Sequence, residues 1–101
     1  MTTQNDRFIG KVEATIVAQN TFSDPLWMRK GNFSLVLRGL SSSTVHIQRS
    51  LDNKVTWDDV AYYTVDGFYG GTEPHYGCWW RFGVKTGNMG AQDSVIGILS
   101  Y

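Results

Sequence analysis

The sequence predicts an all-β protein: a single antiparallel β-sandwich, jelly-roll-like, of about seven or eight strands with no significant helix. Eleven glycines and fourteen aromatic residues in a chain of 101 residues favour many short strands joined by tight turns. Turn-forming residues recur about every 8 to 12 positions, which is typical of sandwiches and jelly rolls. The length is enough for one compact domain and too short for two ordinary ones.

The strands are predicted from runs of β-prone residues between glycine, proline and polar turns. They are expected at residues 12–17, 32–38, 44–51, 57–65, 76–85 and 94–101, and short apolar pieces at 26–28 and 68–69 bring the count to seven or eight. Asp66-Gly67 is a strong hairpin signal, so residues 57–65 and 68–69 are expected to pair around it. Residues 70–75, with two glycines and a proline, are expected to form a bulge or loop.

Alternation with a period of two assigns the faces of the clearest strands. Residues 76–85 predict a central strand with one apolar face and one mixed face. The apolar face carries Cys78, Trp80, Phe82 and Val84, and the mixed face carries Trp79, Arg81, Gly83 and Lys85. Residues 44–51 are expected to place Val45, Ile47 and Leu51 on one face. Residues 11–101 are therefore predicted to form the sandwich domain, preceded by a polar arm at residues 1–10 of the kind that orders on assembly.

Charge and cysteine usage narrow the function classes. Nine basic and nine acidic residues give a formal net charge of zero, so nucleic-acid binding is not expected. The apolar runs are far shorter than the roughly 20 residues that span a bilayer, and no membrane association is expected. The polar N-terminus lacks a secretory h-region and Cys78 is the single cysteine, which predicts synthesis in the cytoplasm without an internal disulfide.

The segment from Ser50 to Trp57 joins a strand to a specific turn. It resembles the Asp-box signature Ser-x-Asp-x-Gly-x-Thr-Trp, with Lys54 in place of the glycine. We expect Asp52 to close the turn, Thr56 to follow it, and Trp57 to anchor it in the core. One copy of the motif does not predict a propeller, which needs several blades of about 40 residues each. If the glycine position requires a positive φ, Lys54 is either strained or part of a different turn.

The residues that could carry chemistry do not form a predicted site. His46 and His75 have no further ligands at metal spacing, and Glu73-Pro74-His75 is not a metal motif. Asp58 and Asp59 point to opposite sides of a strand, and Asp52 and Asp66 are better explained as turn formers. Calcium binding through Asp52-Asn53 and Asp58-Asp59 is a weak alternative, because the spacing is not that of an EF-hand. The sequence therefore predicts no enzyme, no metal and no cofactor.

The aromatic residues are the candidates for molecular contacts. Neighbouring rings such as Trp79-Trp80 and Tyr62-Tyr63 cannot both point inward from a regular strand, so one of each pair is expected to face solvent or a partner. Trp57, Trp80 and Phe82 are predicted to lie in the core. The candidate interface residues are Trp27, Tyr62, Phe68, Tyr69, Tyr76 and Trp79.

Several short motifs resemble small β-sandwich virion proteins of tailed bacteriophages. They are Val-His-Ile-Gln-Arg-Ser-Leu-Asp at 45–52, Thr56-Trp57, Tyr63-Thr64, Glu73-Pro74, Trp80-Arg81-Phe82-Gly83-Val84 and Thr86-Gly87, within residues 33–101. The resemblance implies a non-enzymatic structural protein of the virion, in the first place a decoration or cement protein bound in many copies on the capsid exterior. It also implies partners among the virion proteins and a homo-oligomer, with assembly inside the bacterial host.

Two alternatives remain open at this stage. One is a structural module associated with the neck, tail or fibre of the particle. The other is a carbohydrate-binding module that uses Trp79 or Tyr69 to stack on a sugar and Asp58 or Glu73 to bind its hydroxyl groups.

Overall fold

The computed structural model describes residues 10–74 and 77–101 and shows two antiparallel sheets packed as a sandwich. The predicted fold class is confirmed. The nine strands are β1 (Lys11–Ile16), β2 (Thr21–Phe22), β3 (Leu26–Met28), β4 (Gly31–Arg38), β5 (Val45–Ser50), β6 (Asp58–Tyr63), β7 (Gly67–Glu73), β8 (Cys78–Val84) and β9 (Val95–Ser100). Within the described ranges there is no helix, and so none that could cross a membrane.

The strand order is that of a jelly roll. Sheet A has the order β1-β9-β4-β7, and sheet B has the order β2-β8-β5-β6 with β3 also paired to β8. With β2 and β3 counted as one interrupted strand, the two sheets read 1-8-3-6 and 2-7-4-5, which are the interlocked Greek keys of a jelly roll. The strand that the sequence did not predict is β2. Its two residues are too few to show a periodic pattern.

The interruption between β2 and β3 lies at Ser23, which stays attached to the sheet. Its backbone N–H donates to the Phe82 carbonyl at 2.8 Å, and its side-chain Oγ accepts the Phe82 N–H at 3.2 Å. A hydroxyl thus replaces the carbonyl that a regular strand would offer, so β8 keeps its hydrogen bonds where the neighbouring strand breaks.

The core lies between the inner faces of the sheets. The buried hydrophobic residues are Ile16, Met28, Leu35, Leu37, Leu40, Val45, Ile47, Cys78, Trp80, Phe82, Val84, Val95 and Leu99. As the sequence predicts, β8 is central, and it sends Trp80 and Phe82 inward. The Phe82 ring lies against Gly97, where a Cβ atom would come within 2.3 Å of it, so only glycine allows β9 to approach so closely.

Two local predictions are wrong. Asp66-Gly67 does not form a hairpin, because β6 belongs to sheet B and β7 to sheet A. The Asp66 carboxylate instead accepts the backbone N–H groups of Gly39 and Leu40, at 3.0 and 2.8 Å, and ties this crossing to the loop after β4. Residues 70–73, predicted as a bulge or loop, are the second half of β7.

At the start of the described chain, Gly10 and Tyr101 exchange two backbone hydrogen bonds of 3.1 and 3.0 Å beside the β1–β9 pair. The backbone pairing at this edge of sheet A therefore extends to Gly10. The rest of the predicted N-terminal arm, residues 1–9, lies outside the described residues.

Candidate functional site

The turn from Ser50 to Trp57 is closed by the carboxylate of Asp52. Oδ1 of Asp52 accepts the Ser50 hydroxyl and the Thr56 N–H, each at 2.8 Å, and Oδ2 accepts the Thr56 hydroxyl. The Ser50 Oγ also accepts the Lys54 N–H at 2.8 Å. The side-chain and backbone hydrogen bonds from Thr56, with that from Ser50, lower the pKa of Asp52 to about 2.

Lys54 adopts the conformation that the signature reserves for glycine. Its φ is +71°, and that of Asn53 is +59°. In this position its ammonium group lies 4.4 Å from the centre of the Trp79 ring, while the Trp79 Nε1–H donates to Asn53 Oδ1 at 3.2 Å. The turn is therefore fixed to the outer face of sheet B through Trp79.

The prediction that Trp57 lies in the core is wrong. Trp57 precedes β6, so strand alternation does not determine its side, and it is only half buried. It packs on the Arg81 guanidinium, whose carbon is 4.3 Å from the centre of the Trp57 ring and 4.1 Å from that of Phe22 on the other side. For the same reason Leu51, expected to face inward, is exposed, because β5 ends at Ser50.

The outer face of sheet B combines aromatic rings with polar groups, and we call it the aromatic face. Its residues are Phe22, Trp27, His46, Gln48, Asp59, Tyr62, Trp79, Arg81 and Lys85, with Asn53, Lys54 and Trp57 from the turn. Trp27 and Trp79 form an edge-on pair with ring centres 5.3 Å apart, and Trp27 is 46% exposed. At the other end of the face Tyr62 is 66% exposed, beside the His46 ring.

A chain of hydrogen bonds crosses the middle of the aromatic face. Arg81 Nε donates to Gln48 Oε1 at 2.8 Å, and Gln48 Nε2 donates to Asp59 Oδ1 at 2.8 Å. Lys85 donates to the other Asp59 oxygen at 2.7 Å. The hydrogen bonds from Lys85 and Gln48 lower the pKa of Asp59, and the one from Lys85 has the larger effect.

The outer face of sheet A is different in kind. Val36 pairs with Phe68 on one side and Ile98 on the other, and Ile96 lies in the next row. Phe68 is 76% exposed and Ile96 is 46% exposed. We call Phe68 and its three aliphatic neighbours, Val36, Ile96 and Ile98, the aliphatic patch. Arg38 lies at the margin of this patch, with its guanidinium carbon 5.5 Å from the Phe68 ring centre.

The candidate interface residues are thus divided between opposite faces. Trp27, Tyr62 and Trp79 belong to the aromatic face and Phe68 to the aliphatic patch. Tyr69 does not face a partner, because it lies opposite buried Leu35 and stacks on Tyr63 with a centre distance of 3.9 Å. Tyr76, like His75, lies outside the described residues.

A buried polar cluster was not predicted from the sequence. Glu73 is fully buried and accepts the Trp80 Nε1–H and an Arg49 guanidinium N–H, both at 2.8 Å. Its suggested role in binding sugar hydroxyls is therefore wrong. No local sequence signal could have revealed this cluster, because Glu73 belongs to sheet A and meets Arg49 and Trp80 of sheet B only when the two sheets pack together.

The Cys78 thiol and the His46 imidazole are also candidate reactive groups. Burial is the main reason why the pKa of the Cys78 thiol is raised and that of His46 is lowered. Over residues 10–74 and 77–101, no three His, Cys, Asp or Glu side chains come together in a way that could hold a metal ion.

The chain was compared with known proteins at three levels. No family model, no curated protein and no solved structure matches it.

Proposed function

We propose that this chain is a structural component of a bacteriophage particle, most simply a decoration protein that binds the capsid exterior in many copies through its aliphatic patch. In this proposal the chain binds another protein and catalyses no reaction.

The exposed aliphatic patch is the observation that carries this proposal. Phe68 is 76% exposed on the edge strand β7 and lies in one row across the sheet with Val36 on β4 and Ile98 on β9. Interface cores are depleted in charged residues and enriched in aromatic ones, and Arg38 beside Phe68 is the kind of residue found there. Such a cluster on one sheet favours burial against another protein.

The choice of a phage particle as the partner rests on the sequence resemblance. The motifs at residues 45–52 and 80–84 resemble those of virion proteins; the first covers β5 and the start of the turn after it, and the second lies on the adjacent strand β8. Jelly rolls occur in capsid proteins as well as in lectin domains, so the fold is compatible with this setting.

The proposal is tested with particles of the phage that encodes the chain. Quantitative mass spectrometry of purified virions gives the copy number, which we expect to be a large multiple matched to the capsid lattice. Particles lacking the protein should then bind purified chain in a sedimentation assay. Phe68→Asp should weaken that binding by about thirtyfold, the effect of losing a hot-spot side chain.

Tyr62→Asp is the matched control, because Tyr62 is an exposed aromatic residue on the opposite sheet. It should leave particle binding unchanged. A few copies per particle would instead indicate a neck or tail position, and absence from the virion would refute the proposal.

A further inference from the structure

The aromatic face carries three of the four tryptophans of the chain, Trp27, Trp57 and Trp79, yet it is not an apolar surface. Charged and amide groups stand between the rings, and two of them, Arg81 and Lys54, stack directly on ring faces. This alternation of rings with hydrogen-bonding groups distinguishes it from the aliphatic patch, and from the charge-depleted core of a protein interface.

At one end of the face the exposed ring of Trp27 and the half-buried ring of Trp79 are held in fixed positions. Trp79 is held by its hydrogen bond to Asn53 and by the Lys54 ammonium. Trp27 leans on Trp79 at an angle of 68° and lies against Gly77, where a Cβ atom would come within 2.1 Å of its ring. A ligand that stacks there does not have to order the rings first, so binding costs little conformational entropy.

A pyranose ring has the complementary chemistry. One of its faces presents C–H groups that pack on an indole, while its rim presents hydroxyls that need donors and acceptors close to the ring. At Trp27 and Trp79 these are available from the exposed side chains of Asn53 and Lys54, an amide and an ammonium. We propose that the aromatic face binds a polysaccharide, with one sugar stacked on Trp27 and its hydroxyls bound by Lys54 and Asn53.

The face extends well beyond one sugar. Sheet B places β3, β8, β5 and β6 side by side, so Trp27 on β3 and Tyr62 on β6 are three strand spacings apart, about 14 Å, and four residues apart along the strands, about 13 Å, which together give about 19 Å. Tyr62 offers a second exposed ring at the far end. An extended chain of sugars therefore fits this surface better than a monosaccharide.

The experiment uses the full chain on a glycan array that includes bacterial capsular and lipopolysaccharide glycans together with plant and animal glycans. The strongest hit is then titrated in solution and followed by tryptophan fluorescence. We expect a longer oligomer of that glycan to bind more tightly than its monosaccharide, and Trp27→Ala to weaken binding about five- to tenfold. Phe68→Ser, on the opposite sheet, should leave the affinity unchanged.

Three results would overturn the inference. They are no reproducible hit on the array, an affinity that Trp27→Ala leaves unchanged, and Trp27-dependent binding of an oligothymidine strand with no glycan binding. The last would assign the stacked rings and cations to single-stranded nucleic acid. Glycan binding is independent of the proposed particle contact, since each depends on a different sheet and each has its own variant.

Discussion

Replacing Glu73 by leucine tests the polar cluster inside the sandwich. The substitution removes the buried carboxylate and leaves the Arg49 guanidinium, whose side chain is only 20% exposed, and the Trp80 N–H without their acceptor. Breaking one partner of a buried ion pair costs about 3–5 kcal/mol. Since domains of this size unfold with about 5–15 kcal/mol, the variant should lose a large part of its stability.

The measurement is urea unfolding followed by tryptophan fluorescence. The Arg49→Met, Glu73→Leu double variant should recover most of the loss, because an apolar pair removes the uncompensated charge. Glu13→Leu is the control, since its ion pair with Lys11 is more than half exposed and should contribute less than about 1 kcal/mol. If Glu73→Leu costs no more than Glu13→Leu, or if the double variant is no more stable than the single one, the cluster does not stabilise the fold as described.

Three further predictions concern the turn and its anchors. Trp80→Ala should lower the unfolding free energy by about 3–5 kcal/mol and Trp57→Ala by about 1–2 kcal/mol, because only the Trp80 ring is buried. Equal losses in urea titrations would contradict the placement of Trp80 in the core and Trp57 outside it. The pKa of Asp52 is about 2 in the folded protein against an ordinary 3.8, so its carboxylate stabilises the turn fully above about pH 4 and this contribution is lost as the pH falls towards 2. Asp52→Asn should reduce the loss of stability in this pH range, to which Asp59, Asp66 and Asp93 also contribute, while Asp58→Asn should leave it in place. The Lys54→Val variant should have an unfolding free energy about 1–2 kcal/mol lower than that of Lys54→Gly. Both variants lack the cation, and only valine is disfavoured at a φ of +71°. Equal melting temperatures of the two variants would refute this.

Periodicity was sufficient for the regular strands. Alternation alone places Trp80 inside and Trp79 outside, and it likewise separates Tyr63 from Tyr62. It failed where a residue lies just beyond a strand end, as with Trp57, because the turn, not the pleat, then sets the direction of the side chain.

Other failures come from partners that are distant in sequence. The burial of Glu73 depends on Arg49, 24 residues away, and no local pattern indicates that pairing. Asp66-Gly67 has the chemistry of a hairpin turn, but the same residues also suit a crossing between sheets, where Asp66 binds backbone groups 26 and 27 residues away. The candidate surfaces share this limit, since a sequence shows which rings face outward but not which of them meet.

The irregular borders of sheet B bear on how copies of the chain can associate. One border is broken between β2 and β3 at Ser23, Asp24 and Pro25, and the other, β6, carries an extra residue at Val60 where its register with β5 shifts. Neither border presents a long, straight row of free backbone groups to which a strand of another molecule could add. Sheet B is therefore protected against open-ended, fibre-like growth by strand addition, and an added strand would find a longer regular edge only on sheet A, at β1 or β7.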